Sequence, residues 1–305
     1  MRTLTIKHIT TYRYRRPVAF GEHRMMLRPR DGHDQRLVDA NLVITPTPTS
    51  IRRTRDAFDN HVDIVRFAAR AKELRFDSTI RLDHSPADIR DLDIEEFARA
   101  CPFVYGAEEM PDLVRFIERQ SVDPDGQVER WARTFLRNDR PTNTLAFLDD
   151  LTSGIERTFK HVRRDAKGIQ APPQTLALGS GSCRDFAMLM IEAVRSLGMA
   201  ARFVSGYLQV RDDGDKSQTG GQQRGRLDGG DTRAGNTHAW AQVYLPGPGW
   251  VDCDPSSGII GSRDLVRVAV VHDVRQAIPL HGTWTGFPSD YLGMDVEVVV
   301  TSDAT

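Results

Sequence analysis

The stretch GSGSCRDFAMLMIEAVRSLG, residues 179–198, decides how the rest of the chain is read. Phe186, Leu189, Met190, Ala193, Val194 and Leu197 recur at three- and four-residue spacing, the period of one helical face. Ser182 stands three residues before Asp185, a capping-box pattern, so the helix is expected to begin at Cys183. Gly198 is a natural C-cap. A thiol in the first helical turn lies against unpaired N–H groups and the positive end of the helix dipole. Both favour the thiolate and lower its pKa. Gly181 and Ser182 just before it would let the backbone approach a bound molecule closely. A plainer reading is also open: a buried, inert cysteine that happens to start a helix.

Downstream, NTHAWAQVYL (236–245) alternates. His238, Trp240, Gln242 and Tyr244 share one face, and Ala239, Ala241, Val243 and Leu245 the other. Pro246-Gly247-Pro248-Gly249 then turns the chain into Trp250-Val251-Asp252-Cys253-Asp254-Pro255, a plausible hairpin. A three-residue loop would pair Trp240 with Asp254 and leave His238 one diagonal step away, within side-chain reach. A loop of even length would put the two on opposite faces. Cys183, His238 and Asp254 would then form a nucleophile, a base and an orienting carboxylate, the logic of covalent catalysis. Asp252 shares the face of Asp254 and is the rival orienter. Trp240 is a candidate wall of the site, although a large aromatic on a strand also serves as plain core.

Working outward, residues 1–85 read as strands: Thr3–Tyr12, His23–Leu27, Leu37–Ile44, His61–Phe67 and Lys72–Leu82, rich in β-branched and aromatic residues and parted by turn signals. They predict a small antiparallel sandwich or barrel-like domain over residues 1–86. The period then changes. Helices are expected at Pro111–Ser121, Gln127–Leu136 and Thr142–Lys160, then the helix from Cys183. Strands follow at Ala201–Val210, His238–Leu245, Gly249–Cys253, Leu265–Val271 and Met294–Val300. Helices first and strands afterwards is an α+β pattern, assigned to residues 87–305. Arg211–Gly235, rich in Gly, Asp and Gln, reads as a long loop, either a lid beside His238 or a tolerated surface insertion.

Three ordered motifs make the sequence resemble the bacterial transglutaminase-like superfamily, papain-fold relatives of transglutaminases. They are GSCRDFAMLMIEAVRSLGMAARFVSGYL, THAWAQVYLPGPGW and VDCDPSSG, within residues 173–258. TYRYRRPVAFGEHRMMLRPRDG and RDAFDNHV resemble the β-domain that precedes this core in a bacterial subgroup. The resemblance implies that Cys183 is the nucleophile, His238 the general base and Asp254 its partner. It implies amide acyl transfer through a thioester, resolved by an amine (transamidation) or by water (deamidation or proteolysis). It identifies no second oxyanion donor; Gln170 is polar and upstream of Cys183 but is not assigned.

Other classes are weighed against this. A net charge of −1 gives no global field toward nucleic acid or anionic membrane, and no apolar run approaches the roughly 20 residues of a membrane helix. Residues 1–85 carry a balance of +7 and the remainder −8, which reads as two domains with different surfaces. The start of the chain alternates where a secretory signal would run apolar, so a cytoplasmic protein is expected. Three cysteines at positions 101, 183 and 253 are too few and too scattered for a disulfide framework. A metal site of Cys183, His238 and Cys253 lacks metal-ligand spacing, and alternation points Cys253 away from the His238 face. No cofactor is expected. A non-catalytic interaction module on the same fold is the competing class. The expected partner is a protein, peptide or small amide substrate, and no motif specifies which; oligomeric state is equally silent.

Overall fold

The computed structural model describes residues 1–86, 89, 92–162, 164, 168–209 and 234–302. The expected 211–235 loop lies outside the described residues except for its last two positions, which open a strand.

The chain begins with β1 (Arg2–Met25), β2 (Gln35–Thr45), β3 (Ser50–Arg55), β4 (His61–Arg66) and β5 (Arg70–His84). The two strands expected at 3–12 and 23–27 are one strand of 24 residues. Alternation is lost through Arg13–Pro17 because the ladders shift register there: pairing with β5 breaks between Arg13 and Val18. A register break bends a strand without ending it, and it accommodates Pro17, which has no N–H to give a ladder. β3, SIRRTR, is exposed along its whole length and carries no apolar alternation to reveal it.

The helical part runs β6 (Ala100–Cys101), α1 (Met110–Ile117), α2 (Gln127–Arg133), β7 (Thr142–Asn143), α3 (Thr144–Thr158), β8 (Lys160–His161), α4 (Pro172–Leu178), β9 (Ser180–Gly181) and α5 (Cys183–Ser196). α1 ends earlier than expected because the chain turns to meet Glu192, fully buried on α5. That carboxylate accepts the backbone N–H groups of Gln120 (3.1 Å) and Ser121 (3.1 Å). α5 is buried nearly all round, its charged Asp185, Glu192 and Arg195 included, and forms the axis of the main core, packing on strands behind it and on Phe147, Leu148 and Leu151 of α3.

The closing part comprises β10 (Ala201–Leu208), β11 (Ala234–Leu245), β12 (Gly249–Asp254), β13 (Ile259–Ile260), β14 (Leu265–Val271), β15 (Leu280–Thr285) and β16 (Tyr291–Ser302). β10, β11, β12 and β14 form the antiparallel sheet beneath α5. The fold is α+β: a curled antiparallel β-domain followed by a helical and sheet core.

One boundary differs from the sequence expectation. β15 and β16, assigned by sequence to the second domain, pair along β1: Phe20 with Trp284, and Leu4 through Tyr14 with Ser302 through Tyr291. Pairing across nearly the whole chain leaves no local signal. The two parts also share an apolar core, in which Leu4, Ile6, Ile80 and Leu82 meet Tyr207, Val266, Val268, Val298 and Val300. Among the described residues, no helix is long and apolar enough to cross a membrane.

The β11–β12 hairpin has the register that matters. Leu245 pairs with Gly249 and Ala241 with Cys253, across the three-residue loop Pro246-Gly247-Pro248. Gly247 sits at φ 99°, and a Cβ there would lie 2.2 Å from the Asp93 carbonyl oxygen, so the turn requires glycine. Extending the register one step sets Trp240 level with Asp254.

Candidate active site

α5 begins at Cys183, and its first N–H groups have no intrahelical acceptor. The loop before it is held by Asp185. This buried carboxylate accepts the backbone N–H (2.8 Å) and hydroxyl (2.7 Å) of Ser182, the Gln170 N–H (2.7 Å) and Arg164 Nη1 (2.6 Å). Burial alone would raise the Asp185 pKa; those donors hold it below the ordinary carboxylate value. Gly181 is tightly enclosed, since a Cβ there would come within 2.9 Å of Asp185 Cβ and 3.1 Å of Phe186 Cε1. Gly181 and Ser182 thus fix where the thiol sits.

His238 projects from β11 and Asp254 from the end of β12. His238 Nε2 lies 2.8 Å from Asp254 Oδ2, one diagonal step across the hairpin. Asp254 is fully buried. Its Oδ1 accepts the Ser256 N–H (3.0 Å), and its Oδ2 also accepts the Ser257 hydroxyl. With Nε2 committed to Asp254, the other ring nitrogen, Nδ1, is left for Cys183, whose thiol is near enough to help raise the His238 pKa. The structure therefore brings Cys183, His238 and Asp254 into one connected row.

The electrostatics are those of an ion pair. Burial would raise the Cys183 thiol, but hydrogen bonds from His161 and His238 and their charges outweigh it, and the pKa falls to about 6. Burial would lower His238, but the Asp254 charge and hydrogen bond prevail, and it rises to about 10. The Asp254 carboxyl is lowered: burial opposes ionisation, and His238 and the two serines overcome it. At neutral pH the trio is thus thiolate, imidazolium and carboxylate. The other two cysteines go the opposite way. Cys101 is pushed up to about 12 by burial, and Cys253, buried in the main core, is also raised by burial.

Asp252, the rival orienter, takes a different partner. Its Oδ1 accepts Trp240 Nε1 (2.6 Å) and its Oδ2 accepts Arg267 Nη1 (3.0 Å). Arg267 continues to Asp34 of the β-domain through Nη1 (2.9 Å) and Nη2. Trp240 is a correction to the sequence reading: it is 0% exposed and packs among Val204, Leu265 and Val270, so it cannot wall a cleft. It backs the His238 ring, stacked at 6.1 Å. Gln170 is likewise accounted for. Its Nε2 donates to Thr175 Oγ1 (3.1 Å) and Ser180 O (2.8 Å), which uses both amide hydrogens.

The residue that sequence reading missed is His161. It sits on the two-residue β8, paired in parallel with Gly181 of β9, and its ring reaches the Cys183 sulfur. A strand of two residues has no periodicity to detect. Among the described residues, no group of three His, Cys, Asp or Glu side chains is arranged to hold a metal ion.

Comparison with known proteins bears on the family and the fold. The profile of the bacterial transglutaminase-like N-terminal region matches residues 4–83, and that of the transglutaminase-like superfamily matches residues 130–255. Uncharacterised proteins of Mycobacterium bovis and Mycobacterium tuberculosis are 27% identical over 303 residues, covering 96% of this chain and 91% of theirs. A solved structure from Cytophaga hutchinsonii, provisionally described as a cysteine protease, aligns over 100% of this chain and 91% of its own. Its TM-score is 0.68 at 18% identity, which is a likeness of fold.

Proposed function

We propose that this chain, which joins a bacterial transglutaminase-like N-terminal region to a transglutaminase-like superfamily core, is a thiol enzyme that transfers the acyl group of an amide through a thioester on Cys183. The observation that carries the reading is the buried His238–Asp254 pair at 2.8 Å, with the free face of the same imidazole on a sulfur at a helix N-terminus.

In this reading the Cys183 thiolate attacks a carboxamide or peptide carbonyl. The carbon–sulfur bond forms as the carbonyl π pair moves to oxygen. The backbone N–H of Cys183 is positioned to meet that oxyanion, a contribution worth roughly 3–4 kcal/mol per donor in such sites. The tetrahedral species collapses, the carbon–nitrogen bond breaks, and His238 gives its proton to the departing ammonia or amine. Asp254 keeps the His238 ring oriented in both of its protonation states and stabilises the imidazolium before the proton leaves and after it returns. His238 then takes a proton from the incoming amine or water, which resolves the thioester. Either acceptor, an amine or water, can complete this chemistry at the thioester. Transamidation and hydrolysis therefore share every step up to the thioester. The substrate is a protein, a peptide or a small amide.

The test has two parts. Iodoacetamide labelling followed by peptide mapping should modify Cys183 well ahead of Cys101 and Cys253, and Cys183→Ala should remove the fast adduct. A carboxamide peptide library should then give Cys183-dependent ammonia release, with acyl transfer to added amine if transamidation is the physiological outcome and free acid if hydrolysis is. Equal reactivity of the three thiols would sink the enzymatic reading and leave the non-catalytic module.

A further inference from the structure

His161 is paired with Gly181, two residues before Cys183, so two imidazoles act on the Cys183 thiol, and a Cys-His-Asp mechanism uses one of them. They are placed differently. His238 is only 9% exposed and clamped by Asp254, whereas His161 is exposed and, among the described residues, pairs with no carboxylate. A substrate carbonyl must arrive from solvent, and His161, paired beside the loop that presents Cys183, is exposed to it.

The position of His161 is built by the backbone. Lys160 N–H donates to Gly179 O (2.9 Å) and Val162 N–H to Gly181 O (2.9 Å), so His161 is bracketed by two ladder bonds against the loop that presents Cys183. Its ring packs edge-on against Phe186, one turn along α5, with centroids 6.0 Å apart at 68°. The other polar groups beside the thiol are already committed: the Ser182 hydroxyl to Asp185, and both Gln170 amide hydrogens to Thr175 and Ser180. Among the described residues, what remains there to face a developing negative charge is the Cys183 backbone N–H and the His161 ring. In either neutral tautomer an imidazole carries one N–H.

We propose that His161 is a second catalytic imidazole, whose ring N–H, together with the backbone N–H of Cys183, receives the substrate carbonyl oxygen as it becomes an oxyanion. The inference rests on the acyl-transfer reading above. His161 donates a hydrogen bond and transfers no proton. As the carbon–sulfur bond forms, the carbonyl π pair settles on oxygen between the two donors. It returns to carbon when the carbon–nitrogen bond breaks, with the leaving-group proton supplied by His238.

Two reagents separate this role from a simple effect on the thiol. 4-Nitrophenyl acetate acylates a thiol through a tetrahedral oxyanion, whereas iodoacetamide alkylates it by displacement with no oxyanion. In the full-length protein, His161→Phe should slow acylation of Cys183 by about 10²-fold, the cost of losing one oxyanion donor. Alkylation should change less than threefold. His161→Gln, which offers an N–H at a similar reach, should recover part of the acylation rate, and unchanged thermal melts would exclude misfolding as the cause. If both reactions slow together, His161 acts on the sulfur alone and the oxyanion role is overturned; if neither slows, it is overturned too. A wild-type Cys183 that alkylates no faster than Cys101 or Cys253 overturns the nucleophile assignment, and this inference with it.

Discussion

Asp252 and Asp254 stand two residues apart on one face of β12, both buried, both accepting a hydrogen bond from a β11 side chain one diagonal step away. Their partners set them apart. Asp252 receives a tryptophan N–H and an arginine that runs on to Asp34, so every group in that cluster is committed to another protein group. Asp254 receives a histidine, whose second nitrogen stays available to a sulfur at the edge of the fold. The hairpin geometry is the same at both rungs. Chemistry arises where the row ends in a group that can still form a bond, and mechanical strength where it closes on itself.

The largest expected effect breaks this pairing at the rung proposed to be catalytic. Asp254→Asn should lower Cys183 acylation by roughly 10³–10⁴-fold, as loss of the orienting carboxylate does in related triads. Asp252→Asn should leave the rate within about tenfold, and burst kinetics with 4-nitrophenyl acetate would read both. Comparable losses in the two variants would mean that the rungs are not functionally distinct.

The pH profile sharpens the same contrast. Acylation should rise as the thiol ionises through pH about 6 and fall as His238 loses its proton through about 10. The upper limb owes its position to Asp254, so Asp254→Asn should move it downward and Asp252→Asn should leave it in place. An unmoved limb in Asp254→Asn would assign that ionisation to another group.

For stability the order reverses. Asp252→Asn removes one partner from a buried ion cluster, a change that costs about 3 kcal/mol where a charge is stranded. Arg267 retains Asp34, so the expected loss is nearer 2 kcal/mol, or several degrees of melting temperature. A melt unchanged within a degree would show that the cluster adds nothing.

The smallest effect concerns Asp34. Burial would raise its carboxyl, but the bond and charge of Arg267 and the Ser262 hydroxyl bring it down to about 2. Its folded pKa is therefore below the unfolded value, near 3.9. The stability it contributes is complete above the unfolded value and is lost as pH falls through about 2. A shift from 3.8 to about 2 corresponds to about 2 kcal/mol. Denaturant titrations from pH 5 to pH 2 should show that acid loss, and Asp34→Asn should abolish it.

How far the sequence could be read follows from the range of the interactions involved. α5 and the β11–β12 hairpin were legible because their signals are local: a helical period, a capping pattern, and a turn that needs glycine. Those two elements carry all three members of the proposed catalytic row. Trp240 was misplaced because alternation gives a face but does not say whether a sheet covers it; the closeness of Val204, Leu265 and Val270 is a tertiary fact. α4 starts with Pro172-Pro173, a real helix-start signal, but at seven residues it is too short for periodicity. His161 and the pairing of β1 with β16 were hidden for a shared reason. Each is defined by a strand far off in sequence.

That last pairing has a consequence for how the molecule is made. β1 leaves the ribosome well before β16, its partner along Leu4–Tyr14, which is synthesised nearly three hundred residues later. Leu4 and Ile6 must bury against Val298 and Val300, which do not yet exist while the catalytic core is being translated. The sheet around β1 thus cannot be finished until β16 is made, and the nascent chain carries an uncovered apolar edge until then.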